Sequence, residues 1–139
     1  MPIALRVRDV METNIITIDA SKTVMDAINL MVKNNVWSLI VEKGGLPIGV
    51  VTERDIMRRC AIHQKDATRT TVEEIMSSPI ITISPNALIG EAMNIMAEKN
   101  IRRVYVVEGG KIIGRITQTL IFNTLLNTLT TLAILPYQL

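Results

Sequence analysis

Residues 49–55 read GVVTERD and mark the place where an apolar strand runs out through a glycine and turns into a charged helix. A second stretch of the same design, residues 114–120, reads GRITQTL. The two stretches share the glycine and the threonine, but Leu120 stands where the first has Asp55. This difference is the main functional clue in the sequence.

The two stretches lie near the C-terminal ends of two copies of one sequence repeat. A shift of 65 residues aligns positions 7–56 with positions 72–121 without a gap, and about a third of the aligned pairs are identical. The identical pairs include Met11 with Met76, Ala27 with Ala92, Met31 with Met96, Asn35 with Asn100, and Thr52 with Thr117. Chance does not produce a register of this length, so the chain is a tandem repeat.

Periodicity predicts the same order of elements in both copies. Each copy begins with a helical turn, at 7–11 and 72–76, and a capping box of Thr71 and Glu74 opens the second. The predicted strands cover 15–18, 36–41 and 46–52, and in the second copy 80–83, 101–107 and 111–117. The predicted helices cover 21–34 and 53–62, and in the second copy 88–99 and 118–135. Glycine pairs at 44–45 and 109–110 predict tight hairpins, because glycine adopts positive φ angles freely.

The predicted fold class is α+β, with two tandem β-α-β-β-α repeats. A unit of roughly 50 to 60 residues buries too little surface to be comfortably stable alone. The copies are therefore predicted to pack sheet to sheet with pseudo-twofold symmetry, with a ligand site in the cleft between them. The predicted boundaries are 7–62 for the first repeat, 63–70 for a polar linker, 71–122 for the second repeat and 123–139 for an apolar helical extension.

Composition excludes several classes of function. With 139 residues, 48% of them hydrophobic, the chain is long enough to bury a core, and its net charge of +2 does not favour a nucleic-acid partner. Cys60 is the only cysteine, which fits a reducing compartment and a buried thiol. His63 is the only histidine and is interpreted as a helix-end or linker residue. Nothing assembles a nucleophile with its base, so we expect neither an enzyme nor a required cofactor or metal.

The two ends of the chain carry further expectations. The first residues lack the apolar segment of a secretory signal, so we expect a cytoplasmic protein. The uncharged segment after Arg115 is interrupted by polar residues too often to favour a membrane span. It carries an apolar helical stripe at Leu125, Leu126, Leu129, Leu132 and Ala133. Burial of such a stripe favours association, although packing within the chain would also cover it.

Thr52 and Asp55 have two interpretations. A threonine with an acid three residues on satisfies the free N–H groups of a helix N-terminus, and the isolated pattern favours this role as a cap. Their neighbourhood points to a ligand, because a glycine-containing strand end, unpaired N–H groups, a hydroxyl and a carboxylate are suited to binding a nucleotide. The two roles do not exclude each other.

The duplicated unit resembles a tandem pair of cystathionine β-synthase (CBS) domains, often called a Bateman module. The resemblance covers residues 7–122 and is carried by the motif MxxxIITI, the helix that follows it, the Gly-Gly hairpin and the GxxT ending, all present in register in both copies. It implies a non-catalytic regulatory module that binds an adenosine-containing ligand between the repeats. Isolated modules of this family usually pair, so it also implies a homodimer.

The resemblance assigns roles to individual residues of this sequence. Asp55 would hold the ribose hydroxyls, and Thr52 would contact the ribose or a phosphate. Arg102 and Arg103 match positions that often contact phosphate, although a solvated strand end explains each of them equally well. The remaining predicted site residues are apolar: Val50, and Ile80, Ile81 and Ile101, which would enclose the adenine.

The second copy departs from this pattern. Leu120 replaces the ribose-binding acid, and Arg115 replaces an aliphatic residue beside the same cleft. Trp37 belongs to the partner surface of that cleft, where a packing role is favoured over stacking on adenine. These departures predict one competent site per chain.

The leading function is a regulatory module that binds AMP, ADP or ATP, with NAD and S-adenosylmethionine as further possible ligands and an unidentified protein as the regulated partner. The alternative is a structural or protein-interaction module with vestigial clefts that dimerises through its apolar C-terminal helix. Binding of nucleic acid through Arg54, Arg58, Arg59 and the Arg102–Arg103 pair is the weakest alternative, because few aromatic residues could stack on bases.

Overall fold

The computed structural model describes residues 5–134, which form two three-stranded sheets with six α-helices. The order of elements is the same in both copies, so the α+β class and the tandem repeat are confirmed. In the first copy the elements are α1 (Val7–Val10), β1 (Thr17–Asp19), α2 (Val24–Asn34), β2 (Ser38–Lys43), β3 (Leu46–Thr52) and α3 (Glu53–Arg59). In the second they are α4 (Val72–Ile75), β4 (Thr82–Ile83), α5 (Ile89–Lys99), β5 (Arg103–Glu108), β6 (Lys111–Thr117) and α6 (Gln118–Ile134).

Both sheets have the same topology. The middle strand pairs in parallel with the first strand and antiparallel with the third, giving the orders β1-β2-β3 and β4-β5-β6. The hairpins turn at Gly44 and Gly45 (φ +60° and +78°) and at Gly109 and Gly110 (φ +59° and +76°), as predicted. The antiparallel register places Ser38 opposite Thr52, so that α3 starts where the hairpin ends.

The middle strands, β2 and β5, begin two residues later than predicted. The first residues of each predicted strand instead form the C-terminal cap of the preceding helix. Asn35 is left-handed (φ 52°), and the N–H of Val36 donates to the carbonyl of Met31 at 3.0 Å. Asn100 and Ile101 repeat this arrangement at the end of α5. Such a C-cap satisfies the last helical carbonyls, and the sheet pairing can begin only after it.

Four other predicted boundaries were wrong. Helix α2 begins at Val24 rather than at Ser21, because Thr23 is its N-cap. Helix α3 ends at Arg59, and a 3-10 turn at Ala61–His63 follows it. Ile80 and Ile81 lie outside β4, because pairing with β5 begins only at Thr82. Likewise the pairing of β1 with β2 begins at Thr17 rather than at Ile15.

The capping boxes of α2 and α4 are formed. The N–H of Thr23 donates to the carboxylate of Asp26 at 3.0 Å, and that of Thr71 to Glu74 at 2.6 Å, the latter as predicted. These backbone hydrogen bonds hold the pKa of both carboxyl groups below the ordinary value. A lowered pKa in the folded state means that the caps stabilise the fold at neutral pH, and that this contribution is lost as the pH falls through the lowered pKa.

The compact units of the structure are not the sequence repeats. One unit comprises residues 15–81 and the other comprises residues 5–14 with 82–134. Helix α4 therefore belongs with β1-β2-β3, and α1 belongs with β4-β5-β6. In each unit the third strand exchanges two backbone hydrogen bonds with the segment that follows the helical turn: Val50 and Ser77 bond reciprocally at 2.9 and 2.8 Å, and Glu12 and Arg115 at 3.0 and 2.9 Å.

Each unit has its own apolar core. In the unit of residues 15–81, α2, the two long strands and α4 bury Val24, Ala27, Met31, Leu39, Val41, Val51, Val72 and Ile75. In the other unit the buried residues include Val7, Ala92, Met96, Val104, Val106 and Ile116. Both cores thus contain a helical turn that comes from the other repeat of the sequence.

Helix α6 exposes its apolar stripe. Phe122, Leu125, Leu126, Leu129 and Leu132 are each 49–64% exposed, so packing within residues 5–134 does not cover them. No helix in this part of the chain is both long and apolar enough to cross a membrane.

The motif glycines stand where a second backbone passes close to the sheet. A Cβ on Gly49 would lie 2.8 Å from the carbonyl oxygen of Ser77, and a Cβ on Gly114 would lie 2.8 Å from that of Glu12. Any larger side chain would push the crossing segment away. This close approach explains why both copies keep glycine one residue before the bridge.

We expect Gly49→Ala to lower the free energy of unfolding by about 1–3 kcal/mol, because the added methyl collides with backbone that cannot move freely. Gly90→Ala is the matched control: nothing lies within 4 Å of the added methyl in α5, and alanine in a helix stabilises by about 0.5–1 kcal/mol relative to glycine. Urea denaturation of both variants measures the difference. Equal effects at the two glycines would contradict the proposed close approach.

Candidate functional site

Asp55 lies in the first turn of α3 and is 6% exposed. Its Oδ2 accepts hydrogen bonds from the N–H of Thr52 at 2.9 Å and from the Thr52 hydroxyl at 3.1 Å. The N–H of Asp55 in turn donates to Thr52 Oγ1 at 3.2 Å. These bonds form a capping box, so the structural interpretation of the two residues is confirmed.

The other carboxylate oxygen of Asp55 contacts the segment that follows α4. Oδ1 accepts a hydrogen bond from the Ser77 hydroxyl at 2.7 Å and lies 3.9 Å from Arg59 Nε. Arg59 also donates to the carbonyl of Met76 at 2.8 Å. A charged cluster therefore ties α3 to the segment that crosses β3.

Ser77 is a residue that the sequence interpretation missed. It follows Met76, which the repeat aligns with Met11, and it pairs with Val50 one residue after the motif glycine. The repeat alignment pointed to this segment, but only the crossing of the backbones shows that its hydroxyl reaches Asp55. No pattern local to residues 49–55 contains that contact.

The predicted set of unpaired N–H groups at the start of α3 was wrong. The N–H of Glu53 donates to the carbonyl of Trp37 at 3.3 Å, and that of Asp55 donates to Thr52. The chain entering β2 lies beside the start of α3, which is why a carbonyl is available there. The Asp55 carboxylate accepts three close hydrogen bonds, whereas two carboxylate oxygens offer about four acceptor positions.

Three apolar site residues share the unit of Asp55. Val50 is buried in β3, while Ile80 and Ile81 are half-buried and precede β4. The residue that pairs with Val50, Ser77, is also the hydroxyl partner of Asp55. Within residues 15–81 the fold thus brings the Asp55 carboxylate to the hydroxyls of Thr52 and Ser77, and Ser77 is joined to the apolar Val50 by a backbone bridge.

The three other predicted site residues belong to the unit of residues 82–134. Ile101 is half-buried and its N–H completes the end of α5. Arg102 is exposed, and its carbonyl accepts the N–H of Gln118 at 2.9 Å. Arg103 begins β5 opposite Thr117. Their assignment to the Asp55 site remains a prediction.

The second copy caps its helix without a carboxylate. Thr117 Oγ1 accepts the N–H of Leu120 at 3.1 Å, but the leucine returns no hydrogen bond. Arg115, at the position of Val50, is 7% exposed and its guanidinium pairs with the carboxylate of Glu12. The polar chemistry of this copy therefore differs in kind from that around Asp55.

Three single residues complete the comparison with the sequence. The predicted packing role of Trp37 was wrong, because its side chain is 63% exposed while Val36 and Ser38 on either side are buried. Cys60 is buried, and His63 is exposed at the end of the 3-10 turn, both as predicted. Within residues 5–134 no group of three or more His, Cys, Asp or Glu side chains is placed to hold a metal ion.

The fold and the duplicated strand-to-helix junction define a tandem-repeat module of two α+β units. The chain belongs to the CBS-domain family, whose pattern matches residues 7–62 and again residues 72–127. CBS-domain pairs are regulatory or ligand-binding modules in many proteins.

The chain is similar to other members of this family. It is 32% identical over 108 residues to the CBS domain-containing protein YhcV of Bacillus subtilis, covering 78% of this chain and 76% of YhcV. The crystal structure of a putative signal-transduction protein with CBS domains from Burkholderia ambifaria matches with a TM-score of 0.79 and 30% identity, over 91% of this chain and 89% of the other. A hexameric CBS-CP12 protein from bloom-forming cyanobacteria matches with a TM-score of 0.80 and 33% identity, over 87% and 68% of the two chains. Three further curated relatives are longer, and the chain spans 48–59% of their length.

We expect Asp55→Ala to lower the free energy of unfolding by about 1–3 kcal/mol without any ligand, because it removes a buried carboxylate that accepts three hydrogen bonds. Asp26→Ala removes the equivalent cap of α2, where the carboxylate is exposed and water replaces it. The loss at Asp26 should therefore be the smaller one in urea denaturation at neutral pH. A larger loss at Asp26 would show that Asp55 is an ordinary surface cap.

Proposed function

We propose that this chain is a non-catalytic regulatory module that binds an adenosine-containing nucleotide at Asp55 and signals the binding to a partner protein. The candidate ligands are AMP, ADP and ATP, with NAD and S-adenosylmethionine as further possibilities. The observation that carries the proposal is the buried carboxylate of Asp55, held in place by Thr52 and Ser77 in a chain of the CBS-domain family.

The chemistry at Asp55 suits the hydroxyls of a ribose. A ribose offers two adjacent O–H donors, and a carboxylate is an acceptor that can take both. The side chain is already fixed by the backbone of Thr52, so its ordering costs little when a ligand arrives. Ser77 can rotate its hydroxyl from donating to Asp55 to accepting from the ligand, which would free part of Oδ1.

Apolar and basic residues would complete the nucleotide site. Ile80 and Ile81 are half-buried and supply apolar surface for a base in the unit of Asp55. The proposal retains Ile101 as an adenine contact and Arg102 and Arg103 as phosphate contacts, as the resemblance to CBS domains implies. Arginine suits phosphate because its planar guanidinium donates two parallel hydrogen bonds.

Regulation requires a ligand that distinguishes two states of the protein. The cluster of Asp55, Ser77 and Arg59 joins α3 to the segment after α4 through side chains that a ligand would have to contact. A nucleotide on Asp55 would therefore alter how tightly this segment is held, which is a change that a partner can sense. The Burkholderia relative is described as a signal-transduction protein, which fits a signalling role. The buried thiol of Cys60 fits the reducing environment of the cytoplasm.

Calorimetric titration of the full chain with AMP, ADP and ATP tests the proposal. We expect Asp55→Ala to weaken binding about 10- to 100-fold, because hydrogen bonds to a charged group contribute about 1.5–3 kcal/mol. Asp26→Ala, which removes a capping carboxylate elsewhere, should leave the affinity unchanged. Equally tight binding by Asp55→Ala would remove Asp55 from the site, and mass spectrometry of small molecules retained on purification would identify the natural ligand.

The exposed stripe of α6 supports a second candidate function, that of a homodimerising interaction module. Phe122 and Leu129 are each 64% exposed, and burying such surface at about 25 cal/mol per Å² favours association. Met93 of α5 and Leu125 border the same apolar depression, which has a volume of about 520 Å³. The hexameric state named for the CBS-CP12 relative is an example of assembly among similar proteins.

We expect the double substitution Leu125→Glu/Leu129→Glu to convert a dimer into monomers in analytical ultracentrifugation, because two charges cannot be buried without partners. Val32→Glu is the matched control, since Val32 is 75% exposed on α2 and lies outside the stripe. Dimers that persist in the double variant would assign the interface to another surface. Loss of dimers together with absence of nucleotide binding would favour the interaction module over the sensor.

A further inference from the structure

Three linked positions distinguish the two copies. In the first copy Val50 bridges Ser77, and the Ser77 hydroxyl donates to Asp55. The positions 65 residues away along the repeat are Arg115, Glu12 and Leu120, and the same antiparallel bridge joins Arg115 to Glu12. The backbone arrangement is thus shared, while all three side chains differ.

The replacing side chains form an ion pair in which the guanidinium is buried and the carboxylate is half-buried. The guanidinium of Arg115 bonds the carboxylate of Glu12, and the two side chains are 9% and 36% exposed. A guanidinium that is almost fully buried needs a charged partner, because an unpaired charge away from water is strongly unfavourable. Arg115 is also much larger than Val50, so more of the space beside the bridge is filled by the protein itself.

We infer that in the second copy the equivalent of the Asp55 site is occupied by the chain's own Arg115–Glu12 ion pair. Arg115 and Glu12, together with Leu120, are then the residues that restrict nucleotide binding to one copy. The identity of the excluded ligand rests on the proposed function, but the occupation of the site rests on the ion pair alone.

The ion pair also explains why an acid at position 120 would not be sufficient for binding. In the first copy Asp55 receives a hydrogen bond from Ser77, whereas an acid at 120 would meet the carboxylate of Glu12 at that place. Two carboxylates repel each other, and the guanidinium of Arg115 would compete with a ribose for whichever one is free. Removal of both charged residues must therefore accompany the new acid.

The test rebuilds the second copy in a chain whose first site is disabled. All variants carry Asp55→Ala, and ATP binding is measured by calorimetric titration of the full chain. Leu120→Asp alone should give no gain over Asp55→Ala, whereas Leu120→Asp with Glu12→Ser and Arg115→Val should tighten ATP binding at least tenfold. The matched control combines Leu120→Asp with Arg8→Val and Glu108→Ser. These two substitutions remove a different ion pair of the same unit, which is half-exposed and has an N–O distance of 2.7 Å. The control should not bind ATP more tightly than Asp55→Ala alone.

Each outcome decides the inference. A gain confined to the variant without Arg115 and Glu12 supports it, and no gain in that folded variant overturns it. A gain from Leu120→Asp alone would also overturn it. If the chain with Asp55→Ala does not fold, Leu120→Asp, Glu12→Ser and Arg115→Val are introduced into the otherwise unchanged chain. The stoichiometry should then rise from one to two nucleotides per chain. An unchanged stoichiometry overturns the inference. The proposed function is judged separately, from ATP binding by the unchanged chain and its loss in Asp55→Ala.

Discussion

The structure depends on the antiparallel bridge that joins the third strand of each sheet to the segment after a helical turn. The third strand of each sheet exchanges two backbone hydrogen bonds with a segment leaving a helical turn, at Val50 and Ser77 and again at Arg115 and Glu12. The preceding glycines make this possible, because the crossing carbonyls lie 2.8 Å from where a Cβ would be. The bridge places each helical turn in the core of the unit that contains the other repeat, and it brings residue 77 within reach of Asp55.

The shared bridge allows the two copies to diverge in chemistry without diverging in fold. Backbone hydrogen bonds do not depend on side chains, so the bridge tolerates valine and serine in one copy and arginine and glutamate in the other. In the first copy a carboxylate has a hydroxyl partner, whereas in the second a buried guanidinium is paired with a half-buried carboxylate. A duplicated unit can in this way keep one backbone arrangement with two different sets of polar contacts.

The candidate site could be predicted in part because some of its contacts are local. Thr52 and Asp55 are three residues apart at the start of a helix, so their reciprocal hydrogen bonds follow from the pattern alone. The contacts of Glu53 and Asp55 with Trp37 and Ser77 join segments 16 and 22 residues away. Sequence periodicity gives no distances between such segments, which is why unpaired N–H groups were expected where the structure has a carbonyl partner.

The sequence by itself determined the duplication, the order of strands and helices, the glycine hairpins and the threonine caps. These features are encoded in periodicity and in the conformational preferences of a few residues, which act over short distances along the chain. Only the tertiary structure decided that the helical turns exchange between units, that Ser77 bonds Asp55 and that Arg115 is paired with Glu12. Those contacts arise because two sheets of marginal size each need additional apolar cover, and the chain supplies it from a segment far away in the sequence.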